Sequence, residues 1–118
     1  MKLFIFFILF NFSFSIAQEI VIKAANSKGK AALFSLSGEK TSFIDSIFST
    51  NNQYQFNLSN NHSGFYRLVF SNSKWIDFVY DNENVELKTD VNSVLDSLVI
   101  CESISNKLYY EFVKYNKE

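Results

Sequence analysis

The stretch Gly64–Thr89, GFYRLVFSNSKWIDFVYDNENVELKT, leaves this chain few choices of fold. Successive side chains of a strand point to opposite faces. Tyr66, Leu68 and Phe70 therefore share one face, and Phe65, Arg67 and Val69 the other. Ile76, Phe78 and Tyr80 repeat the pattern against Trp75, Asp77 and Val79, and Val85, Leu87 and Thr89 repeat it against Glu86 and Lys88. Ser71-Asn72-Ser73 and Asp81-Asn82-Glu83-Asn84 separate the runs, and short polar side chains of this kind bond their own backbone in turns. Links this short imply neighbouring antiparallel strands, because a parallel pair needs a long crossover. The stretch is expected to be a three-stranded meander.

The same reading extends outward. Glu19–Ala25, Lys30–Ser37, Thr41–Thr50, Tyr54–Leu58 and Leu95–Glu102 also read as strands, with Asn, Ser and Gly between them and no proline anywhere. Both faces of Thr41–Thr50 carry apolar groups, which a bulge or a crossing between sheets would explain. The chain of 118 residues is expected to hold an all-β, antiparallel sandwich of seven or eight strands over 18–102, its core including Phe34, Phe56, Leu68, Phe78 and Leu87. From Ser103 the period lengthens. Leu108, Phe112 and Tyr115 recur at helical spacing, so 103–118 reads as a short C-terminal helix with that stripe as its apolar face, capped by Ser103 or Ser105. It is either a true terminus or the start of a linker to a further domain.

Residues 1–17 read as a secretory signal peptide: Lys2, the apolar run Leu3–Phe10, then Ser15-Ile16-Ala17 as a small-x-small cleavage site. The run falls short of the roughly 20 residues a spanning helix needs, so no membrane anchor is expected after cleavage. An exported location, periplasm or cell envelope, follows. The net charge of −1 shows no basic stripe and speaks against nucleic acid.

No constellation here dictates a chemistry. Cys101 is the sole cysteine and lies among Leu98, Val99 and Ile100, where a small buried hydrophobe is expected. His62, the sole histidine, adjoins Ser63 in a polar loop without a third group to orient it. Asp81–Glu86 alternates oxygen donors but lacks the glycine and the distal glutamate of a calcium loop, so it reads as a turn. No cofactor or metal is called for. Asn57-Leu58-Ser59 and Asn61-His62-Ser63 fit the glycosylation pattern, which matters only in a eukaryotic secretory pathway. Tyr66, Trp75 and Tyr80 are candidates for an aromatic platform binding peptide or sugar, against the plainer reading of sheet packing.

The order of elements is nevertheless distinctive. A leader ending Ile-Ala-Gln precedes Lys-Gly-Lys-Ala-Ala-Leu-Phe, Phe-Ile-Asp-Ser, Tyr-Gln-Phe, Gly-Phe-Tyr-Arg-Leu, Val-Glu-Leu-Lys-Thr-Asp and finally Ser-x-x-Asn-Lys-Leu-Tyr-Tyr-Glu-Phe at 103–112. This resembles the N-terminal β-sandwich domain of unknown function that precedes a thioredoxin-like domain in exported proteins of the Bacteroidota, Flavobacteria especially. The resemblance implies a non-catalytic accessory domain of an envelope thiol–disulfide oxidoreductase. Its chemistry would lie in a C-terminal redoxin domain bearing C-x-x-C, and its partners would be that domain or client proteins. No C-x-x-C occurs in these residues, so the resemblance carries over no catalytic residue. The alternative is a stand-alone secreted module that binds peptide or glycan. An enzyme in its own right is the third reading and has the least support.

Overall fold

The structure, a computed structural model, describes residues 18–116; the signal peptide read at 1–17 lies outside them. Eight strands and one helix follow in order: β1 Glu19–Ala25, β2 Lys30–Ser37, β3 Lys40–Phe48, β4 Gln53–Asn57, β5 Gly64–Val69, β6 Trp75–Tyr80, β7 Val85–Asp90, β8 Val99–Glu102 and α1 Ile104–Asn116. They form two four-stranded sheets, β4-β1-β7-β8 and β3-β2-β5-β6, closed on one core. The fold is an all-β sandwich with a short C-terminal helix. Among the described residues no helix is long and apolar enough to cross a membrane.

Burial follows the two-residue period. Ile20, Ile22 and Ala24 of β1 and Val85 and Leu87 of β7 face Leu68, Ile76, Phe78 and Tyr80 of the other sheet, all buried. At about 25 cal/mol per Å2 of apolar surface, such a filled layer is the main favourable term in folding. Of the expected core, Leu68, Phe78 and Leu87 are fully buried, and Phe56 packs partly buried against the cluster. Phe34 is a correction. Ala31 and Leu33 turn inward instead, and Phe34 lies on the outer face edge-to-face with Phe43, ring centres 5.7 Å apart. One step of register exchanges the faces of a strand, and the alternation Ala-Ala-Leu-Phe-Ser-Leu is too evenly apolar to choose between them.

The meander holds for one turn only. β5 and β6 pair antiparallel, Arg67 opposite Asp77, but β7 leaves for the other sheet. There it pairs antiparallel with β8 and parallel with β1, Ile22 beside Leu87. This departs from an all-antiparallel sandwich. The parallel pair is possible because β2 to β6 form the long connection between its members. The crossing occurs at Asp81–Asn84, where Asn82 takes a φ of 55°. Two more asparagines carry the change of sheet from β3 to β4. Asn51 and Asn52, φ 53° and 59°, make a two-residue turn closed by the Thr50–Gln53 bridge. Positive φ at both centres is the primed turn that asparagine tolerates.

The apolar groups on both faces of β3 are explained by a bulge. Leu33 lies opposite Asp45 but Phe34 opposite Phe43, so Ile44 is the extra residue. The last strand is shorter than expected: 93–97 forms turns, and only Val99–Glu102 pairs.

Candidate functional site

Helix α1 sits against β6, the edge strand of its sheet, and its start is built from side chains. Ser103 caps it: its Oγ accepts the Asn106 backbone N–H at 3.0 Å. Glu83, from the β6–β7 turn, accepts the Ser103 hydroxyl at 2.8 Å and the Ser105 N–H at 3.1 Å. An acceptor and a negative charge are both favourable at a helix N-terminus. Ser103 holds a φ of 147°, unusual for a residue with a Cβ, and this buried network maintains it. Partial burial alone would raise the Glu83 carboxyl. The hydrogen bonds from Ser103, Ser105 and Ile104 outweigh it and hold the carboxyl below its ordinary range.

A pH dependence follows. A carboxyl depressed on folding stabilises fully above its unfolded value, and the contribution is lost as pH falls through the folded one. Glu83→Gln is expected to cost about 1 kcal/mol at neutral pH. The gap from the parent should close as pH drops below the ordinary carboxyl value near 4.5. Urea midpoints measured along a pH series check this; a gap independent of pH would refute it.

The next residues bind the edge of β6. Asn106 is fully buried; its side-chain oxygen accepts the Val79 N–H and its amide donates to the Val79 carbonyl, both at 2.8 Å. The same amide donates to Ser103 Oγ at 2.9 Å. One turn on, the Tyr110 hydroxyl donates to the Asp77 carbonyl. Burial pushes the Tyr110 phenol well up, so it stays a protonated donor. A side-chain amide thus replaces the missing neighbour of an edge strand, whose free backbone groups would otherwise template association.

This docking inverts the expected helix. Asn106, Tyr109, Tyr110 and Val113 face inward, whereas Ile104, Leu108, Phe112 and Tyr115 stand 72%, 62%, 66% and 81% exposed. The stripe expected to seat the helix is its outer face. Hydrogen bonds decide the orientation: burying the apolar stripe instead would leave the Val79 N–H and C=O without the Asn106 amide.

The aromatic platform does not assemble. Tyr66 and Tyr80 lie in the core, 3% and 0% exposed, with ring centres 6.4 Å apart, while Trp75 is 49% exposed on the other face of the sheet. The alternation of β6 forces this, since Trp75 and Tyr80 are an odd number of residues apart. The Tyr66 hydroxyl is spent on the His62 carbonyl. Trp75 has different companions. Arg67 stacks over its ring at 4.7 Å and grips Asp77 with two hydrogen bonds, 2.6 and 3.0 Å. Phe65 meets Tyr109 edge-on at 5.1 Å and Tyr109 meets Tyr110 at 4.8 Å. Half-exposed pairs of this kind contribute about 1 kcal/mol or less. Their main effect is to fix ring positions.

A cleft of about 600 Å3 opens beside them, lined by Trp75, Asp77, Tyr109, Tyr110 and Val113 on one side and Asn92–Asp96 on the other. Asn72 Nδ2 donates to the Val91 carbonyl and Lys74 Nζ to the Asn92 carbonyl, both at 2.8 Å, so the far wall is tied to the β5–β6 turn.

The other singled-out residues stand apart. His62 is exposed in its loop. Cys101 is exposed, a correction, because Leu98 and Ile100 take the inward positions around β8 and turn Val99 and Cys101 out. Glu83 serves the helix cap, and among the described residues no group of three or more His, Cys, Asp or Glu could hold a metal ion. Ser103 is legible as a candidate cap, but nothing in the sequence marks Asn106, three positions on, as the polar residue that faces inward. No family model matches the chain, and neither a curated protein nor a solved structure matches it.

Proposed function

We propose that the chain is a non-catalytic accessory domain of the cell envelope whose C-terminal helix seats a second folded domain, of the thioredoxin-like class that the sequence resemblance implies. The observation that carries this is the division of α1. Its inward face is pinned to β6 by Asn106 and Tyr110, while Ile104, Leu108, Phe112 and Tyr115 form one continuous apolar stripe in solvent. Single exposed apolar residues are ordinary, but a contiguous row marks an interaction surface. A rigidly anchored helix also presents that row without an ordering cost on binding. In this reading the thiol chemistry belongs to the partner, and this domain positions it.

The test is an NMR titration of the isotope-labelled chain with a purified C-x-x-C thioredoxin-like domain from the same envelope. Shifts should cluster on Ile104, Leu108, Phe112 and Tyr115 and vanish in a Leu108→Asp/Phe112→Asp variant. Both positions are exposed, so that variant should fold. No shifts, or shifts on other faces, would overturn the proposal.

A further inference from the structure

The inner side of α1 supports a separate inference. We propose that the cleft between α1 and Asn92–Asp96 binds an extended peptide segment, added as a short strand to the unoccupied part of the β6 edge. In an antiparallel ladder alternate residues turn both backbone groups the same way. Val79, Asp77 and Trp75 are the residues of β6 that turn outward: Val79 gives both groups to Asn106, Asp77 gives its carbonyl to Tyr110, and Phe70 N–H bonds Lys74 O on the inner side of the ladder. The helix therefore covers the edge only as far as the Asp77 carbonyl. The Asp77 N–H and both backbone groups of Trp75 have no partner among the described residues, and Trp75 and Asp77 line the cleft. A free edge inside a walled cleft asks for backbone, which is how strand addition recognises peptides.

Specificity would come from the walls. A second hollow of about 380 Å3 shares Leu95, Asp96, Tyr110 and Val113 with the first and adds Leu98 and Ile100, which suits one apolar side chain. Asp96 lines both hollows and has no ion-pair partner among the described residues. The Asp77 carboxylate is paired with Arg67, and the Lys74 ammonium, still charged, is held by the Asn92 carbonyl at the other end of the wall from Asp96. Lys114 lines only the second hollow, away from the β6 edge. The ligand class is thus an extended segment with an apolar residue beside a basic one. The outer stripe of α1 takes no part, so this inference stands whatever covers that stripe.

Trp75 is the chain's only tryptophan and reports directly on the cleft. The probes are blocked peptides Lys-Xaa-Ser-Xaa-Lys, with Xaa leucine, valine, phenylalanine or tyrosine, titrated into the whole chain. At least one should shift Trp75 emission saturably below about 1 mM. The same peptide with N-methylated central amides should not bind, because it cannot complete the ladder. Leu95→Arg, at an exposed wall position, should weaken binding about tenfold while leaving the urea midpoint unchanged. Leu108→Asp/Phe112→Asp should bind as the parent does, which separates this result from the docking test. No saturable shift with any probe, equal binding of the N-methylated peptide, or indifference to Leu95→Arg would each overturn the proposal.

Discussion

Phe78→Ala is expected to lower stability by about 3–5 kcal/mol, much of the roughly 5–15 kcal/mol a domain of this size possesses. Phe78 is fully buried and central. Its ring stacks on Tyr66 at 5.9 Å with planes 23° apart, and meets Phe56 of the opposite sheet at 6.0 Å. Truncation forfeits the transfer free energy of the ring and leaves a cavity whose walls are large rings held by two sheets, so little collapse can refill it. In urea the midpoint should fall sharply with an unchanged slope, the mark of altered stability rather than an altered unfolded state. Phe43→Ala provides the contrast. Phe43 is a phenylalanine of the exposed outer face, and its loss should cost under about 1 kcal/mol. If both substitutions shift the midpoint alike, the assignment of faces is wrong.

Asn106→Leu should cost about 2–4 kcal/mol despite adding apolar volume at a buried site. Leucine removes three side-chain hydrogen bonds, two to Val79 and one to Ser103, and strands the Val79 N–H and C=O beneath the helix. A buried backbone group left unpaired costs roughly 1–3 kcal/mol, and the leucine side chain recovers only part of two such losses. Asn106→Asp keeps an acceptor for the Val79 N–H but sets a carboxylate against the Val79 carbonyl, so it should be destabilising as well. The decisive reading is amide exchange. In the parent the Val79 N–H should be protected to near the global unfolding free energy, although β6 is an edge strand. In Asn106→Leu it should exchange by local opening. Undiminished protection there would mean that another group closes the edge and that Asn106 is a passenger.

These expectations also show where the sequence was legible. Strand positions and inward faces could be read wherever polar and apolar residues alternate, as in Ile76-Asp77-Phe78 or Val85-Glu86-Leu87-Lys88, because the two-residue period places side chains without reference to the rest of the fold. The reading failed where both faces are apolar. At Phe34 only the partner sheet selects the inward side, and at Cys101 the inward places were already held by Leu98 and Ile100. For the candidate site almost nothing was visible in advance. The sequence groups Trp75 with Tyr66 and Tyr80, which the core absorbs. The actual neighbours of Trp75 in the cleft, Tyr109, Tyr110 and Leu95, are distant in sequence, and no pattern links them to it.

By itself, then, the sequence determined what is local: an all-β chain, its turns, and a C-terminal helix with a serine cap, while the bulge of β3 and the choice of Ser103 over Ser105 came from the structure. Tertiary structure decided what depends on long-range pairing. It sent β7 to the other sheet beside β1, and it turned α1 so that Asn106 and Tyr110 serve the β6 edge while Leu108 and Phe112 stay in water. The physical reason is the unequal cost of the two exposures. An apolar side chain left in water forgoes about 1.5–3 kcal/mol, and a partner can later recover it. A backbone amide buried without a hydrogen bond must be satisfied within the fold, and which residue does so depends on the arrangement of the whole chain.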